Sequence, residues 1–75
     1  MYIKNLTNLR EGDIAQVISL RNTGSIKRRL QDLGLVAGTR VQCIQKGPCG
    51  DPVAYGIRGA VIALRAEDAQ AIVVS

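Results

Sequence analysis

Five short aliphatic runs punctuated by glycines, one stripe of helical period and an apolar set without Phe or Trp predict a mainly β fold for this 75-residue chain. Val, Ile, Leu and Ala supply most of the 47% hydrophobic content, so the interior has to be assembled from β-branched and small side chains on closely packed strands. Together these features point to a small barrel of the SH3-like or OB-like kind, five-stranded and carrying one short α-helix. A chain of this length supports one core, so residues 1–75 read as a single domain.

The first strand is expected over Asp13–Leu20, D-I-A-Q-V-I-S-L, after the turn signal Glu11-Gly12. Alternation puts Ala15 and Val17 on one face and Ile14 and Ile18 on the other. Ser25–Leu33, S-I-K-R-R-L-Q-D-L, carries Ile26, Leu30 and Leu33 at the i, i+4, i+7 spacing of a helical stripe. Ser25 is its expected N-cap, and Gly34 the left-handed residue that ends it. Val36–Thr39, with Gly38, forms a tight turn into the second strand, Arg40–Lys46, where Val41 and Cys43 share a face. Pro48 and Gly50 suit positions i+1 and i+3 of a type I turn, in which Asp51 accepts local backbone N–H bonds and Pro52 fixes the exit. The third strand, Pro52–Ile57, turns at Arg58-Gly59 into the fourth, Ala60–Leu64. A polar turn, R-A-E-D-A-Q, leads to the last strand, Ala71–Val74.

Composition narrows the function classes. Ten Lys and Arg against six acids give a net charge of +4, which favours an anionic partner or an acidic protein surface. Histidine is absent, and Cys43 and Cys49 are too few and too oddly spaced for a disulfide framework or a zinc knuckle. Cys43 reads as a small core residue and Cys49 as a loop residue. With no imidazole and only scattered carboxylates, neither a metal site nor a cofactor site is expected, and no base and nucleophile can be paired for catalysis. Single-strand nucleic-acid binding on small barrels depends on stacking platforms, and the only aromatics are Tyr2 and Tyr55. A nucleic-acid-binding barrel therefore ranks behind a protein-binding module. The N-terminal M-Y-I-K-N-L-T-N-L-R lacks the apolar run of a signal peptide, and no segment approaches the ~18 apolar residues of a membrane span. A cytoplasmic location without membrane insertion is the expectation.

Lys27, Arg28 and Arg29 fall at the start of the expected helix, where cations oppose the helix dipole at about 0.3–1 kcal/mol per charge. Folding alone favours acids there, so the basic run is a candidate docking face for an acidic partner. The second-face aliphatics Ile14 and Ile18 and the loop tip at Cys49 are further candidates, and self-association of the chain is also open. Gly34, Gly38, Gly50, Asp51, Pro52 and Gly59 are explained by turn geometry and are assigned structural roles.

Four pieces in order carry a family resemblance: L-G-L-V-A-G-T-R-V at Leu33–Val41, P-C-G-D-P at Pro48–Pro52, I-R-G-A-V-I-A-L-R at Ile57–Arg65 and A-Q-A-I-V-V at Ala69–Val74. Over nearly the whole chain the sequence closely resembles the FeoA family, the small cytoplasmic partners of bacterial ferrous iron transport. The resemblance implies an SH3-like β-barrel without enzymatic activity. It also implies regulatory docking onto the cytosolic part of the FeoB-type GTP-binding membrane transporter, and hence a peripheral place at the inner face of the membrane. A more divergent relative is the SH3-like domain that ends metal-dependent repressors, although no DNA-binding helix-turn-helix accompanies it here. Cys49 occupies a loosely patterned position of the family, so a thiol role there would be particular to this protein.

Overall fold

Alternating apolar residues build a six-stranded antiparallel sheet in the computed structural model, which describes residues 4–75; Tyr2 lies outside the described residues. The strands are β1 (Lys4–Asn5), β2 (Ile14–Leu20), β3 (Arg40–Lys46), β4 (Val53–Ile57), β5 (Ala60–Leu64) and β6 (Ile72–Val74). Their spatial order is β1-β6-β2-β3-β4-β5. Helix α1 (Gly24–Asp32) joins β2 to β3, and a short helix α2 (Ala66–Ala69) joins β5 to β6. The fold is mainly β, as expected, with two departures. The described residues contain six strands rather than five, because Lys4 and Asn5 pair with Val74 and Val73 over a stretch too short to show alternation. The expected polar turn also holds a helical turn, with Glu67 and Asp68 in its first turn, where acids suit the dipole.

β2 divides its pairing between two neighbours. Ile14–Gln16 pair with β3, while Val17, Ser19 and Leu20 pair with β6, and the register shift between Val17 and Ser19 leaves Ile18 as the extra residue of a bulge. A second shift, between Cys43 and Gln45, leaves Ile44 unpaired opposite β4. Bulges bend a strand and increase its twist, which lets so short a sheet wrap its own core.

That core joins Val17, Val41, Cys43, Ile57, Ile72 and Val74 to Leu6, Leu30 and Leu35 from the connections. Tyr55 is its largest side chain, 1% exposed, and its hydroxyl donates to the Leu6 carbonyl at 3.3 Å. A buried hydroxyl requires such a partner, and this one ties β4 to the start of the chain. Ala15 and Val17 face inward, and Ile14 and Ile18 face solvent.

The N-cap of helix α1 lies two residues earlier than expected. Gly24 enters at φ +66, so the chain turns directly into the helix, Thr23 occupies the N-cap without a side-chain bond, and Ser25 lies within the first turn. Of the apolar stripe only Leu30 is buried, while Ile26 and Leu33 are exposed. At the other end Gly34 stands at φ +108, its N–H bonds the Gln31 carbonyl at 2.9 Å, and the Leu35 N–H bonds the Leu30 carbonyl at 3.0 Å. With Leu30 and Leu35 both in the core, this is a complete Schellman motif.

The turn at Gly47–Gly50 differs from the expected type. Its closing bond runs from the Gly50 N–H to the Gly47 carbonyl at 2.8 Å, but Cys49 at i+2 has φ +60 and ψ +16, the left-handed value of a type II turn. Pro48 at i+1 is compatible with both types, so it did not discriminate. Nor does Asp51 bond locally. Its Oδ1 accepts the Ala66 N–H at 2.8 Å, fifteen residues along the chain, capping α2 from outside. The Asp51–Pro52 peptide that follows is cis.

Candidate partner-binding surfaces

The basic run on α1 is solvent-facing but differently placed from the expectation. Arg28 and Arg29 are exposed and Lys27 is half-buried. Because the helix starts at Gly24, the run is moved out of its first three positions, and Arg29 belongs to the last turn, where a cation suits the dipole. The charges therefore oppose the dipole less than the sequence implied. Arg29 lines a groove of about 240 Å³ with Ile26, Leu33, Ala63, Arg65 and Asp68. Lys27 and Arg28 do not line it.

A larger groove crosses the outer face of the sheet. Pairing aligns Ile14 with Gln42, Gln42 with Gly56 and Gly56 with Val61, a row across β2, β3, β4 and β5. Three inter-strand steps make it about 14 Å long. Gly56, inside the row, contributes no side chain, and a Cβ there would stand 3.0 Å from Ile44 Cδ1. Ile14 (57% exposed) and Val61 (65%) stand at the two ends of the row, and Ile44, turned outward at its bulge, lies against the gap. The resulting groove is about 510 Å³, and Arg40 and Arg58 are the charged residues in its lining. They stand one step beyond the Val41–Ile57 pair, at the same end, and share an adjoining depression with Gly38.

Of the partner-binding candidates singled out from sequence, the groove takes up Ile14 alone, together with the turn residue Gly59. Ile18 is exposed elsewhere, on the bulge facing β6, and Cys49 sits at the exposed tip of the Gly47–Gly50 turn. Arg40, Ile44, Gly56, Arg58 and Val61 were missed. A glycine inside a strand, the usual mark of a close approach or a gap, was the available signal. Ile44 gave none, because simple alternation does not reveal a bulge.

Cys43 is buried and faces Tyr55 across β3 and β4. Burial, the largest influence, pushes its thiol pKa up despite the opposing effect of Lys46, so it stays protonated and unreactive at neutral pH. Among the described residues no three His, Cys, Asp or Glu side chains converge as metal ligands, and no helix is long and apolar enough to cross a membrane.

Comparison with known proteins places this architecture. The FeoA domain matches residues 4–75. A Fe(2+) transport protein A/Fe(2+) transporter FeoB fusion protein of Porphyromonas gingivalis is 35% identical over 67 residues, 89% of this chain and 8% of that protein. The chain thus spans a small fraction of that relative's length. The solution structure of the FeoA protein from Chlorobium tepidum is similar at a TM-score of 0.90 and 35% identity, covering 95% of this chain and 68% of that one. FeoA of Stenotrophomonas maltophilia, a prokaryotic SH3 domain protein whose crystal structure contains zinc, gives 0.86 and 33%, covering 96% and 89%. A manganese-dependent transcriptional repressor shares the fold alone, at 22% identity and a TM-score of 0.86 over all of this chain and 37% of its own. The family match spans every described residue, and the six-stranded sheet is that of an SH3-like domain: the chain belongs to the FeoA family, which is linked to ferrous iron transport.

Proposed function

We propose that this protein is a non-enzymatic accessory of ferrous iron transport that docks onto the cytosolic part of a FeoB-type transporter, and so works at the inner face of the membrane through that partner. The observation that carries the reading is the fused relative, in which a segment 35% identical to this chain is continuous with a FeoB transporter. Fusion holds two modules at high effective concentration, and separate chains must replace the tether with an interface. The net charge of +4 and the exposed arginines suit electrostatic steering towards an acidic surface. The described aromatic, Tyr55, is buried, which removes it as a stacking platform for nucleic acid.

Titration of the purified protein against the cytosolic domain of the FeoB-type transporter from the same organism tests the proposal. Saturable binding that weakens as salt rises is expected. Absence of binding at low salt, to the isolated domain and to the intact transporter alike, overturns it.

A further inference from the structure

We infer that the outer-sheet groove is the docking surface, and that it receives an apolar side chain from an acidic segment of the transporter's cytosolic region. This rests on the docking reading and adds to it the surface and the chemistry of the occupant.

Charge separates the two grooves. The one beside α1 contains Asp68 together with Arg29 and Arg65, so its cations have a carboxylate nearby. The outer-sheet groove contains Arg40 and Arg58 and no acid, so its positive end is uncompensated within its lining. Next to that end Ile44 packs over Gly56, with Ile14 and Val61 exposed at the two ends of the row and Gln42 between Ile14 and Gly56. A largely apolar recess beside two arginines with no acid in its lining complements an aliphatic or aromatic side chain with a carboxylate close to it in sequence. Arginine suits the second part, since its planar fork engages a carboxylate through two parallel hydrogen bonds.

The backbone at Arg58 supports the same assignment. Ile57 pairs with Ala60, leaving Arg58 and Gly59 as a two-residue loop with φ +50 and +84, the type I′ hairpin turn. Its first position favours Asn, Asp or Gly, and Arg58 is one of two non-glycine residues with positive φ in the described chain. Local preference does not account for arginine here. What it supplies is a stem that packs over Gly34 and a guanidinium at the groove.

The experiment is a titration of ¹⁵N-labelled protein with the transporter's cytosolic domain, read as amide shifts, with affinities for wild type, Val61→Glu and Arg58→Asn. Shifts centred on Ile14, Gln42, Ile44, Gly56 and Val61 are expected. Val61→Glu places a like charge against an acidic partner at a solvent-facing position and should weaken binding about tenfold or more. Arg58→Asn should weaken it about tenfold with a shallower salt dependence, while its melting temperature stays within a few degrees of wild type, since Asn suits the type I′ turn and offsets the lost packing of the stem over Gly34. Shifts confined to α1, with both variants binding as wild type, leave docking intact and overturn the groove as its site. If wild type does not bind at all, the docking reading fails and the groove assignment with it. Groove shifts produced by a single-stranded oligonucleotide and not by the cytosolic domain overturn the inference in favour of nucleic acid.

Discussion

The stem of Arg58 lies over Gly34, with its Cδ 2.9 Å from where a Cβ on Gly34 would stand. The end of α1 and the β4–β5 hairpin, far apart in sequence, are therefore packed through a missing side chain. Gly34 is doubly constrained, because its φ of +108 is also disfavoured for any residue with a Cβ.

Gly34→Val is accordingly expected to destabilise the protein by about 2–4 kcal/mol, combining left-handed strain with overpacking against Arg58 and Ile57. Thermal melts should show a fall of well over 5 °C, at roughly 4–8 °C per kcal/mol for a domain of this size. Gly34→Ala with Arg58→Ala should recover the steric part and leave the backbone part. If Gly34→Val melts with wild type, α1 does not end in the Schellman motif described.

Asp51 caps α2 from the loop before β4, its Oδ1 2.8 Å from the Ala66 nitrogen. Asp51→Ala should cost about 1 kcal/mol, the usual loss when a side-chain cap is removed, and Asp51→Asn, which keeps an acceptor oxygen, clearly less. Urea denaturation midpoints of the three proteins check this ordering. Equal losses for Ala and Asn would show that the carboxylate's charge, not its acceptor geometry, is what matters.

Alkaline stability should be governed by Tyr55. Burial, with smaller contributions from Cys43 and Asp51, pushes its pKa from 10.0 up to about 12. The folded state prefers the neutral phenol, so this contribution is fully present below the unfolded value of 10.0 and is lost as pH rises from there through about 12. Two pK units set an upper bound of about 3 kcal/mol on this contribution, which solvent screening reduces. Burial of the Cys43 thiol acts in the same direction. Tyr55→Phe should be about 1 kcal/mol less stable at neutral pH, having lost the bond to the Leu6 carbonyl, yet lose less on going above pH 10. Parallel stability curves for the two proteins in alkali would refute the assignment.

Reversing Lys27 and Arg28 to Glu should change stability by less than about 0.5 kcal/mol, because α1 starts at Gly24 and neither residue is in its first three positions. With the groove as the docking surface, this double variant should weaken transporter binding only through net charge, by a factor that disappears at high salt. A loss of binding that persists at high salt would return the basic helix face to the centre of the interface.

Alternation and turn chemistry were enough for the main strands, for Ala15, Val17, Val41 and Cys43 facing inward, and for Gly34 at the helix end, because these depend on side-chain period and local backbone geometry. The four spaced motifs were likewise enough for the family. The groove was not legible, since its row of Ile14, Gln42, Gly56 and Val61 joins four strands through pairing registers that nothing local to any strand specifies. Two bulges, at Ile18 and Ile44, displaced the simple alternation, and the long-range cap from Asp51 turned an expected local acceptor into a tertiary one. Period and turn type are local properties of the chain. Register, bulge position and the groove that two arginines share are settled only when distant strands pack around one core.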